Sequence, residues 1–426
     1  MTNTEEPDSK MLRLLLEVRK PEISISGAAG TGKTTLVKRV LATGLPVQLV
    51  APTAAAARRL AQVTTRHAST IHSAIYTPPE EDEAGILYWP EPRPFDEEVR
   101  VVVVDESSMI NHELAGHIRV AAAGKQIVWV GDGNQLPPVE GFPGVDLQQP
   151  DVLLTKVWRS SGCLAKFAAD LLATKSAPEL SQLLQNAHRT YSGVHRLDCT
   201  DWTPGVWRAA VKKQGASVML ITWTNDVRHA MNAQCREAAG YSPTELVPGH
   251  EELVMRSNQP GLGLVNGERL TLEAVIDQDD PDCPASLLYS RLVSPDTGRT
   301  VTCYLAPADF AADRREFREH RREESTAWYY RLLGEHKLQN PRWRNEVDKY
   351  RAAPPPRGQL IGPAASTAHA HFAYCLTCHS AQGSEADVVG VVWADWYQMK
   401  RNFEEAKSWL YTAVTRARQG VVLWLW

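Results

Sequence analysis

Residues 27–34 read Gly-Ala-Ala-Gly-Thr-Gly-Lys-Thr, which fits the spacing G-x-x-x-x-G-K-[ST]. Glycines let backbone N–H groups wrap a phosphate chain, and the helix that follows turns its positive end toward the same charge. Lys33 is then placed for the β- and γ-phosphates, and the Thr34 hydroxyl for Mg2+. Gly27, Ala28, Ala29, Gly30, Thr31, Gly32, Lys33, Thr34 and Thr35 form the expected nucleotide cradle. Farther along, Asp105-Glu106 closes the apolar run "VVVV". Adjacent carboxylates at a strand end suit two tasks: Asp105 holding Mg2+ through water, and Glu106 activating the attacking water. In "GDGNQLPPV", residues 131–139, the Gln135 amide follows another apolar run, where it can sense a γ-phosphate. Together these groups point to nucleoside triphosphate hydrolysis.

A fourth stretch is ambiguous by itself. "AYCLTCHSAQGSE", residues 373–385, contains Cys375-Leu-Thr-Cys378-His379, the haem-attachment spacing C-x-x-C-H. The same letters hold T-x-H-x-x-Q-G at Thr377, His379, Gln382 and Gly383, a pattern suited to nucleic-acid contact. Attached haem needs a second axial ligand and, in bacteria, an export route. The bland alternative is two cysteines at the end of a buried strand.

These groups must be held by elements of the right kind. "PEISISGAAGTGKTTLVKRVL" reads as strand, glycine loop and helix, with Leu36, Val37, Val40 and Leu41 at helical spacing. "VQLVAPT", "VRVVVVDESS" and "KQIVWVGDGNQ" are apolar runs that end in polar residues. Continuous apolar strands are buried on both faces, so they imply a parallel sheet with helical crossovers. The pattern returns in "ASVMLITWTN", "HFAYCLT", "ADVVGVVW" and "GVVLWLW", which implies a second α/β domain. Proline-rich residues 76–99, with a short aromatic core, read as a small inserted hairpin. Residues 246–370 combine turn-rich strand candidates, an Arg/Glu-rich helix and the linker "RAAPPPRG", and read as a larger mixed insertion.

The 426 residues, 43% of them apolar, suffice for two to four packed domains. No apolar run approaches the roughly 20 residues that span a bilayer. The polar start "MTNTEEPDSK" reads as a frayed tail with no secretory signal. Seven unevenly spaced cysteines read as reduced intracellular thiols. The net charge of −4 rules out a uniformly basic surface but not local nucleic-acid contact.

The blocks "GAAGTGKTT", "APTAAAARRL", "STIH", "VVVVDESSM", "GDGNQLPPV", "LTKVWRSS", "TWTNDVRHAMN", "VNGE", "TCHSAQGSEAD" and "LYTAVTRAR" occur in this order. With them the chain resembles superfamily 1 helicases of the RecD-like branch, and within it the compact phage helicases of the Dda kind, over nearly all of residues 20–426. The resemblance implies two RecA-like P-loop domains, 1A (21–75 and 100–165) and 2A (166–245 and 371–426), after an N-terminal tail or helix (1–20). The hairpin 76–99 becomes domain 1B and residues 246–370 domain 2B. It implies ATP and Mg2+ as cofactors, and single-stranded DNA and single-strand/duplex junctions as partners. Protein partners would be single-strand-binding or replication proteins, and the place of work the cytoplasm of a bacterial or phage-infected cell, in replication, recombination or repair. There is no haem and no membrane in this reading.

Residue by residue, Arg159 in "VWRSS" and Arg416 in "VTRAR" resemble the two arginines that reach the γ-phosphate, while Arg418 is structural. Pro52, Thr53, His72, Thr224, Asn225, Thr377 and His379 match strand-contacting positions, with Trp223 as a stacking candidate. Gln382 and Gly383 join the nucleotide set. The resemblance makes the hairpin a strand-separating wedge, here tipped by Tyr88 and Trp89. Translocation 5′ to 3′ also comes from the resemblance alone. A single-strand translocase that displaces proteins or acts on RNA, without processive unwinding, is the alternative. Three departures stand out: residues 1–26 hold no glutamine to read adenine, Ser380 follows His379, and alanines fill 54–57 after "APT".

Overall fold

The computed structural model describes residues 6–77, 80–81, 87–88, 91–156, 162–197, 203–242, 246–257, 259–277, 286–295, 298–307, 310, 312, 314–333, 349–350, 360–393 and 402–425. They divide into one unit of Met1–Arg228 with Leu376–Trp426 and a second of His229–Cys375.

The first unit contains two sheets. One has the order Ala68–Thr70, Val47–Ala51, Val101–Val104, Gln126–Gly131, Glu22–Gly27, Val152–Leu154, and every pairing is parallel. The run "VVVV" shows why its strand carries no polar face. Val101 and Val103 enter one core cluster with Ile23, Ile25 and Leu36, while Val102 and Val104 enter another with Ile71, Ile118 and Trp129. Side chains alternate across a strand, so burial on both faces needs an unbroken apolar run.

The other sheet has the order Cys375–Thr377, Val218–Thr222, Ala386–Trp393, Ala417–Leu425, Val194–Leu197. The last four strands pair in parallel. Trp207 packs edge-on against Trp424 within its buried layer. Two parallel α/β sheets are therefore present, as the apolar runs imply.

One expectation is corrected. The chain start is not a frayed tail throughout, because residues 7–17 form a helix (Pro7–Leu12) continued by a π-turn (Arg13–Glu17). Met11 and Leu15 are fully buried there in the first lobe's core. In the proline-rich insert, Phe95 is buried with Tyr76 and Val99 in that lobe, and its N–H bonds the Ala121 carbonyl. The hairpin itself pairs Glu80 with Tyr88 and Glu81 with Leu87. Trp89 lies outside the described residues, as does Arg159.

The second unit is built on a six-stranded sheet in the order Thr367–Ala368, Thr300–Leu305, Leu288–Val293, Arg269–Asp277, Glu252–Met255, Ala370–Phe372, mostly antiparallel. The helix Arg314–Leu333 belongs to it. Its interior holds an ion pair, Arg236 to Glu251 at 2.8 Å, and Glu251 also accepts from the Tyr374 hydroxyl at 2.7 Å. Among the described residues no helix is long and apolar enough to cross a membrane.

Candidate nucleotide and nucleic-acid site

The strand Glu22–Gly27 runs into the glycine loop, and the helix Lys33–Leu41 leaves it. Gly32 caps that helix at φ 94°, a left-handed conformation that a side chain would resist. Lys33 Nζ donates to the carbonyls of Gly27 (2.6 Å) and Ala28 (3.1 Å), so its ammonium sits over the loop it must serve.

A cavity of about 290 Å³ opens there. Ala29, Gly30, Gly32, Lys33, Thr34 and Thr35 line it from the loop and helix, and Asp105, Glu106 and Gln135 line it from neighbouring strand ends. Thr415 and Arg416, from the far end of the chain, complete its wall. Gln382 and Gly383, read as nucleotide contacts, are not on the wall. Gly383 lies close behind it: at φ 79°, any Cβ there would come within 3.0 Å of Ala56, which does line the cavity.

The charges in this cavity are costly to hold. Burial, and then the neighbouring Glu106, push the Asp105 carboxyl up to about 6, while the Glu106 N–H, Lys33 and Arg59 pull it back. Glu106 adopts φ 51°, a left-handed conformation that costs about 1–3 kcal/mol for a residue with a side chain. The Ser107 hydroxyl anchors this turn by donating to the Val104 carbonyl (2.7 Å) and accepting from the Val130 N–H (3.1 Å). Three buried polar atoms lack a protein partner: Glu106 Oε2, Gln135 Oε1 and Arg416 Nη1. The other Arg416 donors are used, Nε on the Thr412 carbonyl (3.1 Å) and Nη2 on the Thr415 hydroxyl (3.2 Å). Leaving such groups unmatched costs about 1–3 kcal/mol each. A carboxylate, an amide oxygen and a guanidinium N–H on one wall match a bound water, its proton and a phosphate oxygen. Thr34 and Asp105 fit a hydrated Mg2+ at the same place.

Sequence reasoning missed what joins the two lobes here. Tyr411, on the helix Phe403–Val414, donates its hydroxyl to buried Asp132 Oδ2 (2.7 Å) and accepts the Ala29 N–H of the glycine loop (3.4 Å). Burial and Asp132 both raise the Tyr411 hydroxyl far above the ordinary phenol range, so it stays a donor. Next to it, Thr412 accepts the Leu136 N–H (2.9 Å). Arg59 and Glu385, both on the cavity wall, form a second link at 2.6 Å. Partly exposed pairs of this kind contribute about 0.2–1 kcal/mol.

The strand-contacting candidates lie elsewhere. Pro52 and Thr53 follow the strand Val47–Ala51, and Thr53 caps the next helix by accepting the Ala56 N–H (3.2 Å). Thr224 repeats that arrangement in the second lobe, accepting from Val227 (3.2 Å), with Asn225 exposed beside it. His72 sits on the short helix Ile71–Ile75, its ring 5.6 Å from Tyr76. Thr377 shares a hydrogen bond with Ser380 (2.9 Å). Burial lowers the His379 ring below its usual range, opposed first by the Glu405 carboxylate and then by the Pro137 carbonyl. Trp223 is partly buried against Trp409 and Trp393 at 5.2 and 6.1 Å, which is packing rather than an open stacking surface. Cys375 and Cys378 are fully buried.

The AAA domain model matches residues 9–193, and the UvrD-like helicase C-terminal domain model matches 372–424. Among curated proteins, the ATP-dependent RecD2 DNA helicase of Deinococcus radiodurans is 40% identical over 147 residues, covering 33% of this chain. The ATP-dependent DNA helicase dda of Enterobacteria phage T4 is 31% identical over 172 residues, covering 37% of this chain. The chain spans only 20% and 39% of the length of those two relatives. Among solved structures, the Pif1 helicase from Bacteroides in complex with ADP-AlF3 and ssDNA superposes with a TM-score of 0.55 at 15% identity, over 98% of this chain and 92% of that one. Pif1 from Candida albicans gives 0.52 at 16%, over 100% and 95%. At such identities the likeness speaks for the fold alone. The resemblance read from the ordered motifs is found again in both lobes.

Proposed function

We infer that this chain, which belongs with the RecD- and Dda-like superfamily 1 helicases, is an ATP-dependent DNA helicase that moves 5′ to 3′ along single-stranded DNA and unwinds duplex. One observation carries the reading. Lys33, Thr34, Asp105, Glu106 and Gln135 of one lobe meet Arg416 of the other on a single cavity.

In this reading Lys33 leaves its loop carbonyls for the β- and γ-phosphates. Glu106 Oε2 takes the proton of the attacking water, and Gln135 orients that water. Arg416 Nη1 meets the equatorial oxygens of the γ-phosphate, a contact that contributes a factor of roughly 10³–10⁵ in analogous NTPases. Arg159 is proposed for a second such contact. Mg2+, held by Thr34 and Asp105, would neutralise charge on the phosphates.

The coupling to DNA follows from the lobe contacts. Tyr411 touches the glycine loop and Asp132, so a change at the phosphates is felt by the helix Phe403–Val414, which Arg416 follows by two residues. The Pro137 carbonyl, two residues beyond Gln135, is one of the groups that act on the His379 ring, which brings a strand-contact candidate near the proposed water-orienting loop. Pro52, Thr53, His72, Thr224, Asn225, Thr377 and His379 are proposed to hold backbone phosphates and sugars without reading sequence. Alternating grip between the lobes then produces steps. The strands part at the hairpin that carries Tyr88 and Trp89.

Strand displacement on 5′-tailed and 3′-tailed DNA duplexes, with and without ATP, tests the reading. ATP-dependent unwinding of the 5′-tailed duplex alone is expected. DNA-stimulated hydrolysis without displacement of either would replace it with a pure translocase, and unwinding of the 3′-tailed duplex would reverse the polarity.

A further inference from the structure

We propose that Arg59 is a third cation for the terminal phosphate of the nucleotide, held by Glu385 until a triphosphate arrives and so able to distinguish ATP from ADP. This rests on the nucleotide-hydrolysing reading of the cavity.

Position is the first argument. Arg59 lies on the helix Ala54–Thr64, whose residues Ala56, Arg59, Leu60 and Val63 all line the cavity. They recur at the three- and four-residue spacing of one helix face, so the whole face looks into the site. Arg59 is also near enough to the metal-binding carboxylate to count among the cations stabilising its charge. It therefore borders the phosphate end of the cavity, where Asp105 and Glu106 stand.

Charge is the second argument. The wall carries three cations, Lys33, Arg59 and Arg416, against three carboxylates, Asp105, Glu106 and Glu385, so its formal sum is zero. A triphosphate needs an excess of positive charge. Lys33 and Arg416 bond neutral carbonyls and a hydroxyl, and are displaced from them without leaving a charge behind. Arg59 alone of the three holds a carboxylate on this wall, at 2.6 Å. Its guanidinium can exchange that carboxylate for a phosphate oxygen of like charge and geometry. The side chains are 37% and 17% exposed, so water reaches both and the exchange does not strand Glu385 in a dry interior.

The exchange has a direction. Arg59 and Glu385 stand on different lobes, 326 residues apart in the chain. Taking Arg59 away releases the second lobe at this point, while Arg416 draws the same lobe toward the same phosphate. ADP, which lacks the γ-phosphate, triggers neither.

Equilibrium binding of a fluorescent non-hydrolysable ATP analogue and of fluorescent ADP to the full chain tests this. Arg59→Ala is expected to weaken the ATP analogue about tenfold, on the scale of one charge-assisted contact, with ADP within about twofold. Glu385→Gln should shift the analogue the other way, tightening it a few-fold while leaving ADP alone. The double variant should match Arg59→Ala. Arg59→Lys, which keeps the charge but loses the fork, should fall between, and it carries the test if Arg59→Ala fails to fold. Equal loss of both nucleotides in Arg59→Lys, an unchanged ATP-to-ADP ratio, or Glu385→Gln weakening the analogue as Arg59→Ala does would overturn the proposal. Lys33→Ala separates this from failure of the parent reading: it should weaken both nucleotides, and if it weakens neither, the cavity is no nucleotide site.

Discussion

The two parallel sheets of the first unit place their proposed work at the same ends but in different proportions. In the first lobe, three adjacent strands, Val101–Val104, Gln126–Gly131 and Glu22–Gly27, end in Asp105, Asp132 and the glycine loop. The two strands beside them, Val47–Ala51 and Ala68–Thr70, lead instead into Pro52, Thr53 and His72. In the second lobe the matching edge pair, Cys375–Thr377 and Val218–Thr222, leads into His379, Thr224 and Asn225, and no glycine loop follows any described strand. Ligands of open α/β sheets gather beyond the carboxyl ends of the strands. Here one sheet divides that edge between the proposed nucleotide and polymer contacts, while the other keeps the proposed polymer end and reaches the cavity through Glu385, Thr415 and Arg416.

The difference also lies in how the polar groups are engaged. Nucleotide-facing atoms include three buried groups with no protein partner, whereas Thr53, Thr224 and Thr377 already bond the protein. A small ligand justifies unmatched groups in a cavity, while a polymer is met by a surface that must also stand alone. Single substitutions should therefore weigh far more on the nucleotide side. The largest effect is expected from Lys33→Ala, since no other described cation sits over the loop carbonyls. DNA-stimulated ATPase should fall below about a tenth of wild type, and a higher residual rate would break the comparison at its strongest point.

Glu106→Gln comes next. The amide preserves shape but cannot take a proton, so turnover should drop about 10²–10⁴-fold while nucleotide binding stays within a few-fold. Parallel loss of binding would make Glu106 structural, holding its left-handed turn rather than a water.

Most of the nucleotide half was legible because its signals are local. The glycine loop, "VVVVDE" and "GDGNQ" each couple an apolar strand to its polar end within a few residues, and the alternation of Val101 to Val104 between two cores follows from strand geometry. What was illegible is what tertiary folding assembles. Asp132 and Tyr411 are 279 residues apart, and Asp132 lies within a quoted motif from which only Gln135 was singled out. Arg59 hid in "AAAARRL" as one more surface charge. Met11 and Leu15 follow directly on the polar stretch "MTNTEEPDSK", whose composition alone read as a tail. The capping by Thr53 and Thr224 was readable, since threonine before a helix is a standard N-cap.

Tyr411→Phe sharpens the comparison at the junction of the lobes. It keeps the ring but removes the donor to Asp132 and the acceptor for the Ala29 N–H. Leaving Asp132 Oδ2 buried without that donor costs about 1–3 kcal/mol, so thermal stability should fall. ATPase should fall several-fold, with less stimulation by DNA. Unchanged stimulation would mean that the contact is packing and that coupling runs through His379 and Pro137.

Smaller still is the expected effect of replacing the hairpin aromatics. A motor that only walks needs no separation device, while an unwinder must unstack base pairs at about 1.4 kcal/mol per step. Trp89→Ala, or Tyr88→Ala, should cut unwinding several-fold with DNA-stimulated ATPase near wild type. If both activities fall together, or neither changes, the hairpin belongs to the packing of the first lobe rather than to strand separation.

The smallest effect is expected at the pair that first raised a different chemistry, Cys375 and Cys378. Both thiols are fully buried. The Cys375 N–H is taken by Asn232 Oδ1 (2.9 Å), and Cys378 Sγ donates weakly to the Trp409 carbonyl (3.6 Å). Burial also holds the Cys378 thiol well above its ordinary range, so it stays a neutral, poorly nucleophilic group. Cys375→Ser with Cys378→Ser exchanges two small soft groups for hydroxyls of nearly the same size. Each hydroxyl needs a partner, so about 1–3 kcal/mol of stability is at stake where none is found. ATPase and unwinding below the melting point should stay within a few-fold of wild type, because both side chains are fully buried. A Soret band in the purified protein, or loss of activity without loss of stability, would give the thiols a chemistry of their own.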